Sequence, residues 1–355
     1  MGIQTEEFGV TKSGEKVTRY ILTNHQGNQV AFLDLGAVVQ SIVVPDRDGK
    51  LEDVVLGYDT VAGYESNVPS FGAPVGRCAN RISDGKFTLN GKTYTLDQND
   101  DTNCLHGGYL RYNHCMYEVE CMTGEESDTI AFSRLSPDGE QGFPGNLSLT
   151  ITYTWNDANE LMIEYHAICD EDTVLNLTNH SYFNIGPGGH AGENVLRQEV
   201  QILADHYNPI GDKRLPTGEC LPVAGTCMDF TTFHPIGDHI GVDDPEAGTL
   251  SGYDHNYILP EHEPGEVIKA AEIRDPGNGR VMEVFTDMPG VQFYIAKELV
   301  ESGGKEGLTY QNYGGACFES QNYPNGINQE NFPSPVLQAG VEYESATVYR
   351  FYVEK

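Results

Sequence analysis

Three features of the sequence predict an all-β, antiparallel fold. The first is strict alternation. Leu147, Leu149, Ile151, Tyr153 and Trp155 alternate with Ser148, Thr150, Thr152 and Thr154, which sets one face of a strand in a core and the other toward water. The second is turn chemistry between such runs, above all Asn90-Gly91, the strongest short hairpin signal. The third is punctuation. Forty glycines and 18 prolines divide the chain into short strands, at spacings that suit a sandwich rather than a βαβ fold.

Taken in order, the elements follow from local chemistry. Asp59 or Thr60 can cap one helical turn over Val61-Ala-Gly-Tyr-Glu65, although Gly63 works against it. Phe87-Thr-Leu-Asn-Gly-Lys-Thr-Tyr-Thr-Leu96 alternates on both sides of its turn and predicts a hairpin. The strand ending at Trp155 meets a turn at Asn156-Asp-Ala-Asn159, and Leu161-Met-Ile-Glu-Tyr-His-Ala-Ile168 answers as its partner. The segment Leu175-Asn-Leu-Thr-Asn-His-Ser-Tyr-Phe-Asn-Ile185 interleaves polar groups with apolar anchors. It predicts a strand whose polar face lines a pocket, although a solvated strand with an incidental histidine alternates in the same way.

Composition narrows the function classes. The net charge of −32 argues against nucleic-acid or anionic-membrane partners, which demand a basic patch. No apolar stretch approaches the roughly 20 residues that span a bilayer. The start, Met1-Gly-Ile-Gln-Thr-Glu-Glu-Phe8, has neither a basic nor an apolar region of a secretory signal. Eight cysteines form no C-x-x-C pair and no metal-ligand spacing, which fits reduced thiols and a cytoplasmic setting. His234 and His239, five apart in a Pro/Gly loop, are poor support for a metal. No linker, charge block or repeat divides the chain, so residues 1–355 are expected to form a single domain.

Chemistry-bearing residues gather in a few segments. Glu319 follows Gly314-Gly-Ala-Cys-Phe318, a run expected to be buried, and a buried carboxylate needs a partner or a chemical role. His180 is the titratable group of the 175–185 segment. Arg81 and Asn80 lie in Gly76-Arg-Cys-Ala-Asn-Arg-Ile82, and His106 stands beside Gly107-Gly108, a pair that permits close backbone approach. Asp254 sits in Gly252-Tyr-Asp-His-Asn256, which by itself reads as a turn. Gln292 alternates with apolar neighbours in Val291-Gln-Phe-Tyr294 and so has solvent as one possible destination.

These blocks, in this order and spacing, resemble the galactose mutarotase (aldose 1-epimerase) family. The resemblance runs from Phe8-Gly9 to Phe351 and includes Val44-Pro-Asp-Arg-Asp-Gly49, Asp53-Val-Val-Leu-Gly-Tyr58, Leu105-His-Gly-Gly108, Leu215-Pro-Thr-Gly218, Tyr253-Asp-His-Asn256 and Pro289-Gly-Val-Gln-Phe-Tyr294. It implies a large antiparallel β-sandwich, the supersandwich of galactose mutarotase-like folds, with a free hexose such as galactose or glucose bound in an open groove. It also implies Glu319 as base, His180 as acid, His106 assisting near the ring oxygen, and Arg81 and Asp254 on sugar hydroxyls, with Asn80, Tyr182 and Gln292 in second rank. No cofactor and no metal is expected, the partner is a small-molecule sugar, and the expected assembly is a monomer or weak dimer.

The chain departs from the family pattern at Tyr109-Leu-Arg-Tyr-Asn-His-Cys115, at Tyr117 where tryptophan is usual, and at Asp287-Met288. Three rivals stand beside this reading. A glycoside hydrolase would use Asp254 and Glu319 as carboxyls about 5–9.5 Å apart. A non-catalytic sugar-binding protein is possible on any fold. A hexose-6-phosphate epimerase would need extra basic residues, and Arg81 is the one clear groove cation in the matched motifs, so a neutral aldose is expected.

Overall fold

The computed structural model of the chain describes residues 1–241, 243–244 and 248–354. Its strands pair antiparallel throughout the three large sheets. Gly2–Val10, Lys16–Thr23, Gln29–Leu33, Val39–Pro45 and Leu51–Asp53 form an N-terminal meander. The largest sheet has nine strands, in the order Glu118–Thr123, Ser127–Ser136, Leu147–Asn156, Glu160–Cys169, Glu342–Val353, Arg280–Thr286, Ile268–Arg274, Glu199–Ile202 and His234–Pro235. A third sheet orders Leu221–Pro222, His206–Tyr207, Asp254–Ile258, Gly290–Tyr294 and Cys317–Gln321.

Alternation decides which faces meet. Leu147, Leu149, Ile151, Tyr153 and Trp155 are buried while Ser148 is exposed and Thr150, Thr152 and Thr154 are half-buried. Their apolar row packs on the N-terminal meander, where the Phe32 ring lies 4.5 Å from Tyr153. The same continuous core takes in Tyr257, Val291, Phe293 and Phe318 of the third sheet. Tyr349 of the nine-stranded sheet donates its hydroxyl to the Phe318 carbonyl at 2.9 Å, which ties the layers together. Among the described residues, no helix is long and apolar enough to cross a membrane.

The predicted local elements form with small changes. Thr60 caps a six-residue helix, Val61–Ser66, by accepting from the Gly63 amide. Gly63 is there because a Cβ would lie 2.5 Å from the Tyr58 ring, so packing outweighs helix propensity. Lys86–Leu89 and Lys92–Thr95 pair across Asn90 and Gly91, both with positive φ, as the two-residue turn requires. Trp155 pairs with Leu161 across the expected 156–159 turn.

The 175–185 segment departs from its expectation. Only Thr178–His180 is a strand, paired with Ala73–Val75, and the rest makes single bridges such as Asn176 to Cys78 and Phe183 to Ala316. Its amides serve neighbouring backbone instead of one continuous pocket face. Asn176 bonds the Asn322 carbonyl, Asn179 that of Gly72, and Asn184 those of Glu193 and Gly314. A buried chain without a full ladder must satisfy its polar groups in this way.

Candidate active site

Three strands of the third sheet build the floor. Their register sets Asn256, Gln292 and Glu319 abreast, with Asp254, Tyr294 and Cys317 in the next row. A period of two puts both rows on one face, while Tyr257, Val291, Phe293 and Phe318 enter the core on the other. The polar face is covered rather than solvated. Gln292 is 2% and Glu319 3% exposed, and Gln321 is fully buried.

An amide chain runs under this floor. Asn256 Nδ2 donates to Asn208 Oδ1 at 2.8 Å, and Gln321 Nε2 reaches Asn256 Oδ1 at 3.3 Å and Gln292 Oε1 at 3.2 Å. Gln292 Nε2 then donates to Asp254 Oδ1 at 2.8 Å. Gln292 therefore stands one layer behind the groove and fixes Asp254, which itself faces the opening.

The remaining walls come from distant segments. The strand Thr178–His180 delivers His180, 5% exposed, whose Nε2 lies 3.7 Å from Glu319 Oε1. Tyr182 stacks on the His180 ring at 4.9 Å and 12°, and its hydroxyl is tied to the Pro69 carbonyl at 2.9 Å. Cys104–Leu105 pairs with Arg81–Ile82, which brings His106 to within 5.3 Å of His180 between ring centres. Close approach here demands glycine. At Gly107, φ +85°, a Cβ would lie 2.1 Å from the Gly76 carbonyl oxygen. The Asn80 amide donates to His106 Nδ1 at 3.2 Å, so the neutral ring carries its proton on Nε2 and is a donor there. Arg81 is held by Asp100, Nε to Oδ2 at 2.6 Å.

Burial sets the charges. It pushes the Glu319 carboxyl well above the carboxylate range, with the negative charge of Asp254 adding to the effect. It pulls His180 down to about 4, against an opposing pull from Asp254 and with help from Arg111. His106 is likewise held well below its ordinary value, by burial first and then by His180, Arg111 and Arg81. Burial thus favours the neutral form of each group, and a proton held by the Glu319–His180 pair is biased toward Glu319. Such a pair can take a proton at one point and deliver one at another.

Glu319, His180, His106, Arg81, Asn80, Asp254 and Tyr182 all line this groove. The sequence reading missed Tyr294, Arg111, Arg214, Lys297 and Glu298, which line it too, and Asp100 behind Arg81. Tyr294 lay in a quoted block, two residues from Gln292 on the same strand face, and that alternation was its signal. Arg111 lay in the stretch that departs from the family pattern. Asp100 sits in a polar loop that reads only as a turn. Arg81 is the groove cation of the matched motifs, and segments outside those motifs bring three further cations, Arg111, Arg214 and Lys297, to the same groove.

The family model described as aldose 1-epimerase matches residues 18–350. Galactose mutarotase of Mus musculus is 38% identical over 347 residues, covering 98% of this chain and 97% of that protein. Aldose 1-epimerase of Escherichia coli (strain K12) is 32% identical, with 98% and 99% covered. The crystal structure of the GalM/aldose epimerase homologue from C. elegans superposes with a TM-score of 0.84 at 30% identity, over 94% of this chain and 98% of that one.

Proposed function

The chain belongs to the aldose 1-epimerase family and interconverts the α and β anomers of free aldoses, and we propose that Glu319 and His180 carry the two proton transfers. The observation that supports this assignment is their 3.7 Å approach at the buried floor of an open polar groove. Galactose and glucose are the substrates proposed first, following the relatives' names.

The step balances without any outside reagent. With Glu319 ionised and His180 protonated, the carboxylate takes the proton of the anomeric hydroxyl as the C1–O5 bond breaks, and the imidazolium protonates O5. Glu319 is now the acid and His180 the neutral base. Burial favours this arrangement, with both groups neutral, so the groove's own electrostatics stabilise the open-chain stage. Rotation about C1–C2 presents the other face of the aldehyde. On closure O5 returns its proton to His180 while Glu319 returns one to O1. Each positioned transfer is worth roughly 10²–10⁴ in rate.

The other groups hold the sugar. His106, neutral with its proton on Nε2, donates a hydrogen bond near the ring oxygen. Arg81 and Asp254 suit vicinal hydroxyls, a charged donor and a charged acceptor each fixed from behind. Arg81 also lowers the cost of ionising Glu319. A carboxylate paired with a histidine favours proton exchange on a free hemiacetal over hydrolysis by two carboxyls. The eight cysteines are free thiols, which supports a cytoplasmic setting, and we read the protein as a monomer or weak dimer. Polarimetry of freshly dissolved α-galactose and α-glucose tests the assignment. Release of new reducing ends from an oligosaccharide would support the hydrolase instead.

A further inference from the structure

The groove holds more positive charge than a neutral sugar needs. Of its four cations, Arg81 is answered by Asp100 at 2.6 Å and Arg214 by Glu298 at 2.8 Å. Among the described residues, Arg111 and Lys297 have no carboxylate within 4.0 Å. Arg111 is half-buried, and its guanidinium is oriented by neutral groups alone. Nη1 donates to the Val68 carbonyl at 2.7 Å and to Ser70 Oγ at 3.2 Å. Those contacts hold Nη1, and among the described residues Nη2 and Nε donate to no protein acceptor. Arg111 itself has φ +47°, three residues beyond the Gly107-Gly108 pair. Its charge also reaches His106 and His180.

A partly desolvated guanidinium without an ionic partner has much of its Coulomb energy unused, and its planar fork matches a carboxylate. We propose that Arg111 recognises a carboxylate carried by the aldose, so that hexuronates are substrates of this enzyme alongside neutral hexoses. This rests on the groove being the aldose site. Two unpaired cations, Arg111 and Lys297, stand against Asp254, and the Glu319–His180 pair is neutral when it holds one proton, so a balance of one positive charge is left, which suits a monoanion rather than a phosphate dianion. The net charge of −32 opposes an anion's approach from a distance, but that field is screened beyond about 8 Å at physiological salt and acts on the encounter rather than on the contact.

The test measures kcat/KM for anomer exchange by NMR on galactose, galacturonate and glucose 6-phosphate. The wild type should convert galacturonate, and Arg111→Gln should lower kcat/KM for galacturonate at least tenfold more than for galactose, with Arg111→Lys restoring part of the loss. Wild-type enzyme active on galactose and inactive on galacturonate overturns the proposal, as does an equal loss on both sugars in Arg111→Gln. A preference for glucose 6-phosphate over galacturonate overturns the carboxylate assignment. Inactivity on every sugar would instead sink the reading of the groove itself. The wild-type comparison decides the matter even if the variants fold poorly.

Discussion

Replacing Glu319 with Gln isolates the proposed base. The change keeps the side chain's shape, so the row Asn256–Gln292–Glu319 and the packing below it should persist. What disappears is the ability to hold and return a proton. On the scale of one positioned transfer the loss is roughly 10²–10⁴ in kcat, or about 2.7–5.4 kcal/mol of barrier. Sugar affinity should change far less, since Arg81, His106 and Asp254 bind independently of that proton. Stability should move the other way. Burial raises the Glu319 carboxyl, so the folded state holds its proton more tightly than the unfolded chain does. That advantage is complete below the ordinary carboxylate range and is lost as pH rises toward the raised value. Gln carries no such dependence, so Tm of the variant should exceed wild type at neutral pH and converge with it in acid. Polarimetry corrected for spontaneous mutarotation, calorimetric titration with galactose and thermal melts at two pH values read all three quantities. Turnover within tenfold of wild type would refute the role as base, and a variant less stable than wild type at neutral pH would refute the burial argument.

Three further outcomes are expected. His180→Asn should cost about two orders of magnitude or more in kcat while retaining sugar binding, and a wild-type rate would remove His180 from the chemistry. The pH profile should have an acid limb well below the ordinary histidine value of about 6.5. Its acid limb belongs to His180 at about 4, where the pair gains a second proton, and its alkaline limb to the raised Glu319, where the pair loses its only one. An acid limb centred on the ordinary histidine value would contradict the lowered His180. Gln292→Leu should raise KM more than it lowers kcat, because Asp254 loses its 2.8 Å anchor while the acid–base pair is untouched, and Gln292→Glu should not rescue it, since a carboxylate cannot donate to Asp254. Equal effects on KM and kcat would assign Gln292 a broader structural role.

Much of this was legible because periodicity and turn chemistry are local. The Leu147–Trp155 alternation needs only its own residues to declare a core face, and Asn90-Gly91 needs only the handedness of its turn. The proposed acid–base pair was legible in another way. Glu319 announced itself by contradiction, a carboxylate at the end of an apolar run. What the sequence hid was non-local. Nothing near Arg111 says that its guanidinium turns back to Val68 and Ser70, and nothing near Asp100 says that it meets Arg81. The strand expected over Leu175–Ile185 failed for a related reason. Alternation there reflects amides bonding to Gly72, Glu193, Gly314 and Asn322, partners that local sequence cannot reveal.

The third sheet explains why proton chemistry can be performed in so buried a place. A strand face normally chooses between core and water, yet the face bearing Asp254, Gln292 and Glu319 is polar and covered. Polar groups in that position cost free energy unless each is bonded, and the amides meet the requirement by bonding to one another, from Asn208 through Asn256, Gln321 and Gln292 to Asp254. The chain ends on the groove-facing Asp254 and stops short of Glu319. The carboxylate proposed to ionise and reprotonate in each turnover is thereby left responsive, with His180 Nε2 at 3.7 Å, while its neighbours are fixed. Rigidity and titratability are divided between adjacent residues of one sheet face, and the period of two in its strands makes that division possible.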